Sequence, residues 1–278
     1  MAAQPTAGIW DDDPDGASIV LATGRQRHDL LVIAEPALLT ELDAAWGRPA
    51  SRVRLSFLPG VSAPGGVGQE DSLYSYDRDG LGVLVARGRT SLFEGKPARR
   101  TTALARIAPG AGVRAALLVT RAASLGGCVP GDLLAIGDHL NLTGAPLFPA
   151  TGLLDAAWDE PLTEGVRGLD GVRDPGVAAL VPGPVRPSRT EARLLAALGA
   201  DVVVTDTVAE AMALASRGVR VVGLAYVDAV ADAAGSGTSS ERRSAGRRAA
   251  APPTVDFTQA PAPEVVLAAV EKVLNTLR

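Results

Sequence analysis

Apolar residues in this chain come in short, nearly unbroken runs set between Gly and Pro breaks. Val, Leu, Ile and Ala fill residues 29–34, 82–86, 115–119, 132–136, 177–181, 201–204 and 219–224. A strand with one wet face alternates apolar and polar positions, whereas a continuous run marks a strand covered on both faces. Helical spacing lies between several of these runs. Residues 188–198 open on Ser188 and stop at Gly199, residues 207–217 are Ala-rich and stop at Gly218, and residues 263–277 close the chain. A polar cap before the apolar stripe and a glycine after it are the usual ends of a helix. Strands alternating with helices of these lengths predict an α/β fold with a largely parallel sheet.

Two stretches lack this periodicity. Residues 1–17 are read as a flexible N-terminal segment, and residues 18–278 as one folded domain. Within it, residues 233–253, rich in Gly, Ser, Ala and Arg, are read as a mobile loop. The loop's basic cluster (Arg242-Arg243, Arg247-Arg248) has two readings, a solvated surface or an active-site lid. No internal repeat is present.

Composition narrows the classes of function. With 47% hydrophobic and 21% charged residues over 278 positions, the chain can bury a large core. Aromatics are only 4%, so aliphatic residues must fill that core. A net charge of −4 gives no basic surface for nucleic acid. The single cysteine, Cys128, excludes an internal disulfide and fits a reducing cytoplasm. One Cys and two His cannot close a zinc site, so no metal is expected. The start of the chain is acidic at Asp11-Asp12-Asp13, unlike a signal peptide, and no run of about 18 apolar residues points to a membrane span.

The chemistry is carried by two blocks. The first reads Gly88-Arg89-Thr90-Ser91-Leu92-Phe93-Glu94-Gly95, then an apolar run ending Leu117-Leu118-Val119-Thr120-Arg121-Ala122-Ala123, then Gly131-Asp132-Leu133-Leu134-Ala135-Ile136-Gly137-Asp138-His139-Leu140-Asn141. The second holds Gly183-Pro184, Glu191-Ala192-Arg193-Leu194-Leu195, Leu198-Gly199-Ala200-Asp201, Thr207-Val208-Ala209-Glu210-Ala211 and Gly218-Val219-Arg220-Val221-Val222-Gly223. In order and spacing, these blocks resemble the trimeric purine nucleoside phosphorylases. The likeness spans roughly residues 30–278 and is firm over 80–141 and 181–230.

That resemblance implies a single α/β domain built on a twisted mixed β-sheet flanked by helices, assembled as a homotrimer, alone or with an intact paralogue. It implies phosphorolysis of a purine or purine-like nucleoside to free base and pentose 1-phosphate. Phosphate is then a co-substrate, and no cofactor is needed. Arg89, Ser91, Ala122 and Asp206 fall at phosphate-binding positions, Ser91 in place of a histidine and Asp206 in place of a serine. Phe93, Glu94, Arg121, Arg186, Pro187, Thr205 and Ala229 fall at nucleoside-binding positions. Asp228, beside the position of a lost base-binding asparagine, is the candidate general acid, with Ser91 the other catalytic candidate. Asp138, His139 and Asn141 are expected to be structural.

The departures from the family pattern concentrate on ligand positions. Glu35-Pro36-Ala37 replaces a Gly-Ser-Gly phosphate loop, and Gly66 replaces a phosphate-binding histidine. Pro36 has no N–H to offer and Glu35 repels an anion. A carboxylate at 206 beside phosphate costs several kcal/mol, of order 3–5, unless it is paired. Pro187 and Ala229 replace the two polar anchors of the purine. Arg121, in place of a sugar-binding asparagine, either supplies a new positive charge or turns to solvent. Arg186, in place of an aromatic wall, and Asp228 either rebuild the base site or have drifted. Three outcomes follow for the chain as a whole: an active phosphorylase, a phosphate-independent nucleosidase, or a non-catalytic subunit. A nucleoside-binding sensor is a weaker fourth.

Overall fold

In a computed structural model, residues 13–144, 156–184, 186–231 and 262–278 are described. The 233–253 loop and residues 1–12 of the N-terminal segment lie outside them. In chain order the described elements are α1 (Ala17–Thr23), β1 (Leu30–Ile33), α2 (Thr40–Trp46), β2 (Ser51–Val53), β3 (Leu73–Arg78), β4 (Leu81–Ala86), α3 (Ala98–Thr101), α4 (Ala103–Ile107), β5 (Ala115–Ser124) and β6 (Leu133–Asn141). They continue with α5 (Glu160–Arg167), β7 (Val172–Leu180), α6 (Arg189–Ala197), β8 (Val202–Val204), α7 (Val208–Ala215), β9 (Arg220–Val230) and α8 (Ala262–Asn275).

The strands form one sheet in the order β2-β3-β4-β1-β5-β8-β7-β6-β9, and β9 also pairs with β5. That last pairing closes β5, β8, β7, β6 and β9 into a ring, so those strands have no free edge. The sheet is mixed rather than largely parallel. β1 runs parallel to β4 and β5, and β5 parallel to β9, while β3–β4, β5–β8 and β6–β9 are antiparallel.

Both faces of the sheet are covered, which explains the continuous apolar runs. On β1 alone, Leu31 and Ile33 enter one core cluster with Leu84, Leu118, Val208 and Leu214. Leu30 and Val32 enter the other, with Val83, Val85, Leu117, Val266 and Val270. At about 25 cal/mol per Å² of apolar surface, this two-sided burial is the main force closing the fold. The helix ends follow their sequence signals. Ser188 Oγ accepts from Glu191 N at 3.3 Å, and Glu191 Oε2 accepts from Ser188 N at 2.7 Å, a reciprocal cap at the start of α6. Of the N-terminal segment, the described residues are held: Asp13 carboxylate oxygens accept from Ala17 N and Ser18 N, capping α1.

Candidate active site

The strands β1, β4, β5 and β9 run parallel where they adjoin, and their C-terminal ends open on one side of the sheet. Ligands in such sheets bind outside the carboxyl ends of the strands. Here Glu35 follows β1, Arg89 follows β4, Thr120 and Arg121 lie late in β5, Thr205 and Asp206 follow β8, and Asp228 lies late in β9. They surround two adjoining cavities. The larger, about 310 Å³, is lined by residues that include Glu35, Gly66, Arg89, Ser91, Thr120 and Asp206. The smaller, about 180 Å³, includes Ala122, Arg186, Pro187 and Asp228, and the two share Arg121, Pro184 and Thr205.

Arg89 anchors the larger cavity from beneath. Its side chain is almost fully buried, and Nη2 donates to the carbonyls of Ile33 at 2.9 Å and Val119 at 2.8 Å. Nη1 donates to Asp206 Oδ1 at 3.0 Å and lies 3.4 Å from Glu210 Oε2. Burial opposes the guanidinium's charge. The fields of Glu210 and Asp206 outweigh that burial and hold its pKa above the usual arginine value. Glu210 shows the opposite balance. Burial pushes its carboxyl up to about 7, against the pull of Arg89.

Asp206 collects three donors. Besides Arg89 Nη1, Thr120 Oγ1 donates to Oδ1 at 2.5 Å and Ser91 Oγ donates to Oδ2 at 3.0 Å. The backbone behind it is strained. Thr207 has φ 64° and ψ −46°, and Val208 N donates to Asp206 O at 2.7 Å across it. That is the rarer, strained hand of a three-residue turn, of a kind kept where the surroundings fix a functional geometry.

Arg121 forms the second ion pair of the cavity. Its Nε donates to Glu35 Oε1 and Oε2 at 2.7 and 2.8 Å, and its Nη2 lies 2.6 Å from Glu35 Oε2. It is therefore neither turned to solvent nor presented alone to an anion. Nη1 of the same side chain lies 3.7 Å from Asp228 Oδ2, and Arg186 Nη2 donates to Asp228 Oδ1 at 3.2 Å. Asp228 is thus gripped by two guanidiniums. The smaller cavity carries a donor and an acceptor side by side.

The remaining candidates separate into lining and bracing groups. Phe93, Thr205, Ala122 and Pro187 line the cavities. Glu94 braces backbone: Oε1 accepts from Ser91 N and Oε2 from Gly65 N, each at 2.8 Å, tying the glycine loop to the Arg89 segment. Ala229 lines neither cavity. A register shift against β5 leaves Asp228 without a strand partner, and Ala229 packs in a cluster with Ala123, Val203 and Ala192. His139 is a scaffold group: its Nδ1 accepts from Trp158 Nε1 at 3.2 Å, and burial lowers its pKa.

Thr120, Glu210 and Gln69 also belong to the site, outside the candidates that the sequence offers. Thr120 adjoins Arg121 and Glu210 stands in the same motif block as Thr207, so position in the motif is their available signal. Gln69, whose Oε1 accepts from Arg89 N at 3.0 Å, carries no such signal. Among the described residues no group of His, Cys, Asp and Glu could hold a metal ion, and no helix is long and apolar enough to cross a membrane.

Comparison with known proteins places this chain in a family. The sequence pattern of the Phosphorylase superfamily matches residues 54–254. The purine nucleoside phosphorylase of Mycobacterium tuberculosis is 34% identical over 224 residues, covering 77% of this chain and 83% of the relative. That of Bos taurus is 28% identical over 246 residues, covering 78% and 81%. In fold, the Schistosoma mansoni purine nucleoside phosphorylase crystallised with acetate superposes with a TM-score of 0.72 at 20% identity, over 94% of each chain.

Proposed function

Because the chain belongs to the phosphorylase superfamily, we propose that it is a purine nucleoside phosphorylase-type pentosyltransferase. It cleaves the N-glycosidic bond of a purine or purine-like nucleoside with phosphate, giving free base and pentose 1-phosphate. One observation carries the reading. Arg89 for the anion, Arg121 for the sugar and Arg186 for the base line two adjoining cavities at the carboxyl ends of neighbouring strands.

The division of labour follows from the chemistry. At the larger cavity Arg89, Ser91 and Thr120 converge their donors on a single point, as an oxyanion requires. As the glycosidic bond stretches, negative charge builds on the departing base and positive charge on the sugar. The Arg186 guanidinium in the smaller cavity stabilises the first, through a hydrogen bond that strengthens as the base becomes electron-rich. Asp228, held between the guanidiniums of Arg121 and Arg186, accepts from an N–H of the base rather than serving as its general acid. Glu35, held by Arg121 at the junction of the two cavities, offers a carboxylate to the sugar. The same reading makes the protein a cytoplasmic homotrimer. The resemblance supports the trimer, and the single free cysteine supports the reducing compartment.

A phosphate-independent nucleosidase is the second reading. It is favoured by the mutual pairing of all four charged groups that line the larger cavity. The test is base release from inosine, guanosine and adenosine by the purified protein, with and without phosphate. Phosphate-dependent release is expected. Equal release without phosphate replaces the first reading by the second, and no release from folded protein replaces both by a non-catalytic subunit.

A further inference from the structure

We propose that Asp206 is a resident anion in the phosphate subsite, and that it sets the affinity of this chain for its acceptor. Phosphate gains the donors of Arg89, Ser91 and Thr120 only by displacing the Asp206 carboxylate from them. The inference rests on the reading of this cleft given above, and names what regulates occupancy of one end of it.

The geometry is that of a filled anion site. Three donors from two segments of chain, the stretch after β4 and strand β5, meet at one carboxylate: Arg89 Nη1 at 3.0 Å, Ser91 Oγ at 3.0 Å and Thr120 Oγ1 at 2.5 Å. Two bonds fall on Oδ1 and one on Oδ2, so both oxygens are engaged. The other end of the Arg89 fork is committed to the carbonyls of Ile33 and Val119 and cannot turn to a second anion. Hydroxyl and guanidinium groups directed at a single oxyanion are what a phosphate would ask of this cavity.

Charge leads to the same place. The charged groups lining the larger cavity are two carboxylates, Glu35 and Asp206, and two guanidiniums, Arg89 and Arg121, so the lining is formally neutral. Each guanidinium faces a carboxylate at hydrogen-bond distance. A phosphate entering beside Asp206 brings like charge against it in a poorly solvated cleft, where such repulsion is weakly screened. Arg121 is no substitute donor while Glu35 grips its Nε and Nη2. Asp206 itself is presented by the strained turn at Thr207, which aims the carboxylate into the donor cluster.

The experiment measures binding rather than turnover. Inorganic phosphate, with sulfate as an unreactive control, is titrated into the full chain, D206S and D206N, and read by calorimetry and by the ligand-induced rise in Tm. Both variants remove the carboxylate, and D206N keeps its shape should the smaller residue unfold the chain. The expected result is that at least one folded variant binds both anions at least about tenfold more tightly than the unaltered chain, a difference of about 1.4 kcal/mol. Equal affinity in all three proteins overturns the proposal, as does weaker binding in the variants. Base-release assays on the same samples separate this from the proposed reaction. A variant that gains phosphate but releases no base leaves the resident anion standing and sinks the phosphorylase reading. Base release whose phosphate affinity ignores residue 206 does the reverse.

Discussion

Arg89 and Asp206 are 117 residues apart in sequence and 3.0 Å apart in the fold. Their contact joins the segment after β4 to the turn before α7, and Glu210, in the first turn of α7, adds its carboxylate to the same guanidinium. Removing one member of such a buried set leaves the others uncompensated, which costs far more than the set contributes as a whole. Arg89→Ala is therefore expected to destabilise the protein by about 3–5 kcal/mol. The double variant R89A/D206A is expected to be less destabilised than the two single losses summed, by about 1–3 kcal/mol. Urea denaturation of the four proteins measures this, and strict additivity would show that the pair is not coupled.

The base end of the cleft is more exposed and should respond differently. The Arg186 side chain is 44% exposed and its partner Asp228 17%, so their ion pair contributes little to stability. Arg186→Ala is expected to leave Tm within experimental scatter. It should lower kcat/KM for the nucleoside at least about tenfold, with part of the loss in kcat, because the lost hydrogen bond strengthens as the base departs. Steady-state kinetics beside a melting curve decides it. An unchanged kcat/KM would place the base somewhere other than the smaller cavity.

Gly183 limits the rim between the two cavities. Its φ is +62°, and a Cβ built there would lie 2.6 Å from Thr205 Cγ2 and 3.3 Å from Phe93 Cδ1. Gly183→Ala combines a backbone penalty with a collision against two lining residues, so a loss of about 1–3 kcal/mol is expected. The displaced Thr205 and Phe93 should also weaken nucleoside binding. Nucleoside affinity retained alongside the lost stability would mean that these side chains only wall the cleft.

The strand cores are legible because both faces of the sheet are apolar: 115–119 falls inside β5, and 201–204 and 219–224 each begin one residue ahead of β8 and β9. What the sequence does not mark is polar or short. The first half of β7 carries Arg173, Asp174 and Pro175, a sequence that reads as loop. It is nonetheless paired with β6, through a register irregularity around Pro175. The β3–β4 hairpin turns on Asp79-Gly80, both at positive φ, a signal the chain does offer. At the site, motif position located Arg89, Ser91, Asp206 and Asp228, but pairing is a property of three dimensions. Nothing local in the sequence shows that Glu35 meets Arg121 across 86 residues, or that Thr120 points at Asp206 rather than at a ligand.

Glu210 gives the cleft a dependence on pH whose sign can be worked out. Its carboxyl is raised from 4.5 to about 7, chiefly by burial. Between those values the folded protein holds a proton that the unfolded chain has released. Stability therefore falls as pH rises through this window, and the fall is complete above about pH 7. His28 acts in the opposite sense. Burial lowers it from 6.5 to about 4, so its contribution is lost as pH falls through that range. The two partly cancel in the unaltered protein, and Glu210→Gln separates them. Taking the stability of E210Q minus that of the unaltered chain removes the His28 contribution. The difference is expected to grow by about 2 kcal/mol between about pH 5.5 and about pH 8. Chemical denaturation at those two values is the measurement. A difference that stays flat would mean that Arg89 keeps Glu210 ionised throughout, and that the second carboxylate of the cluster is a permanent charge rather than a proton-controlled one.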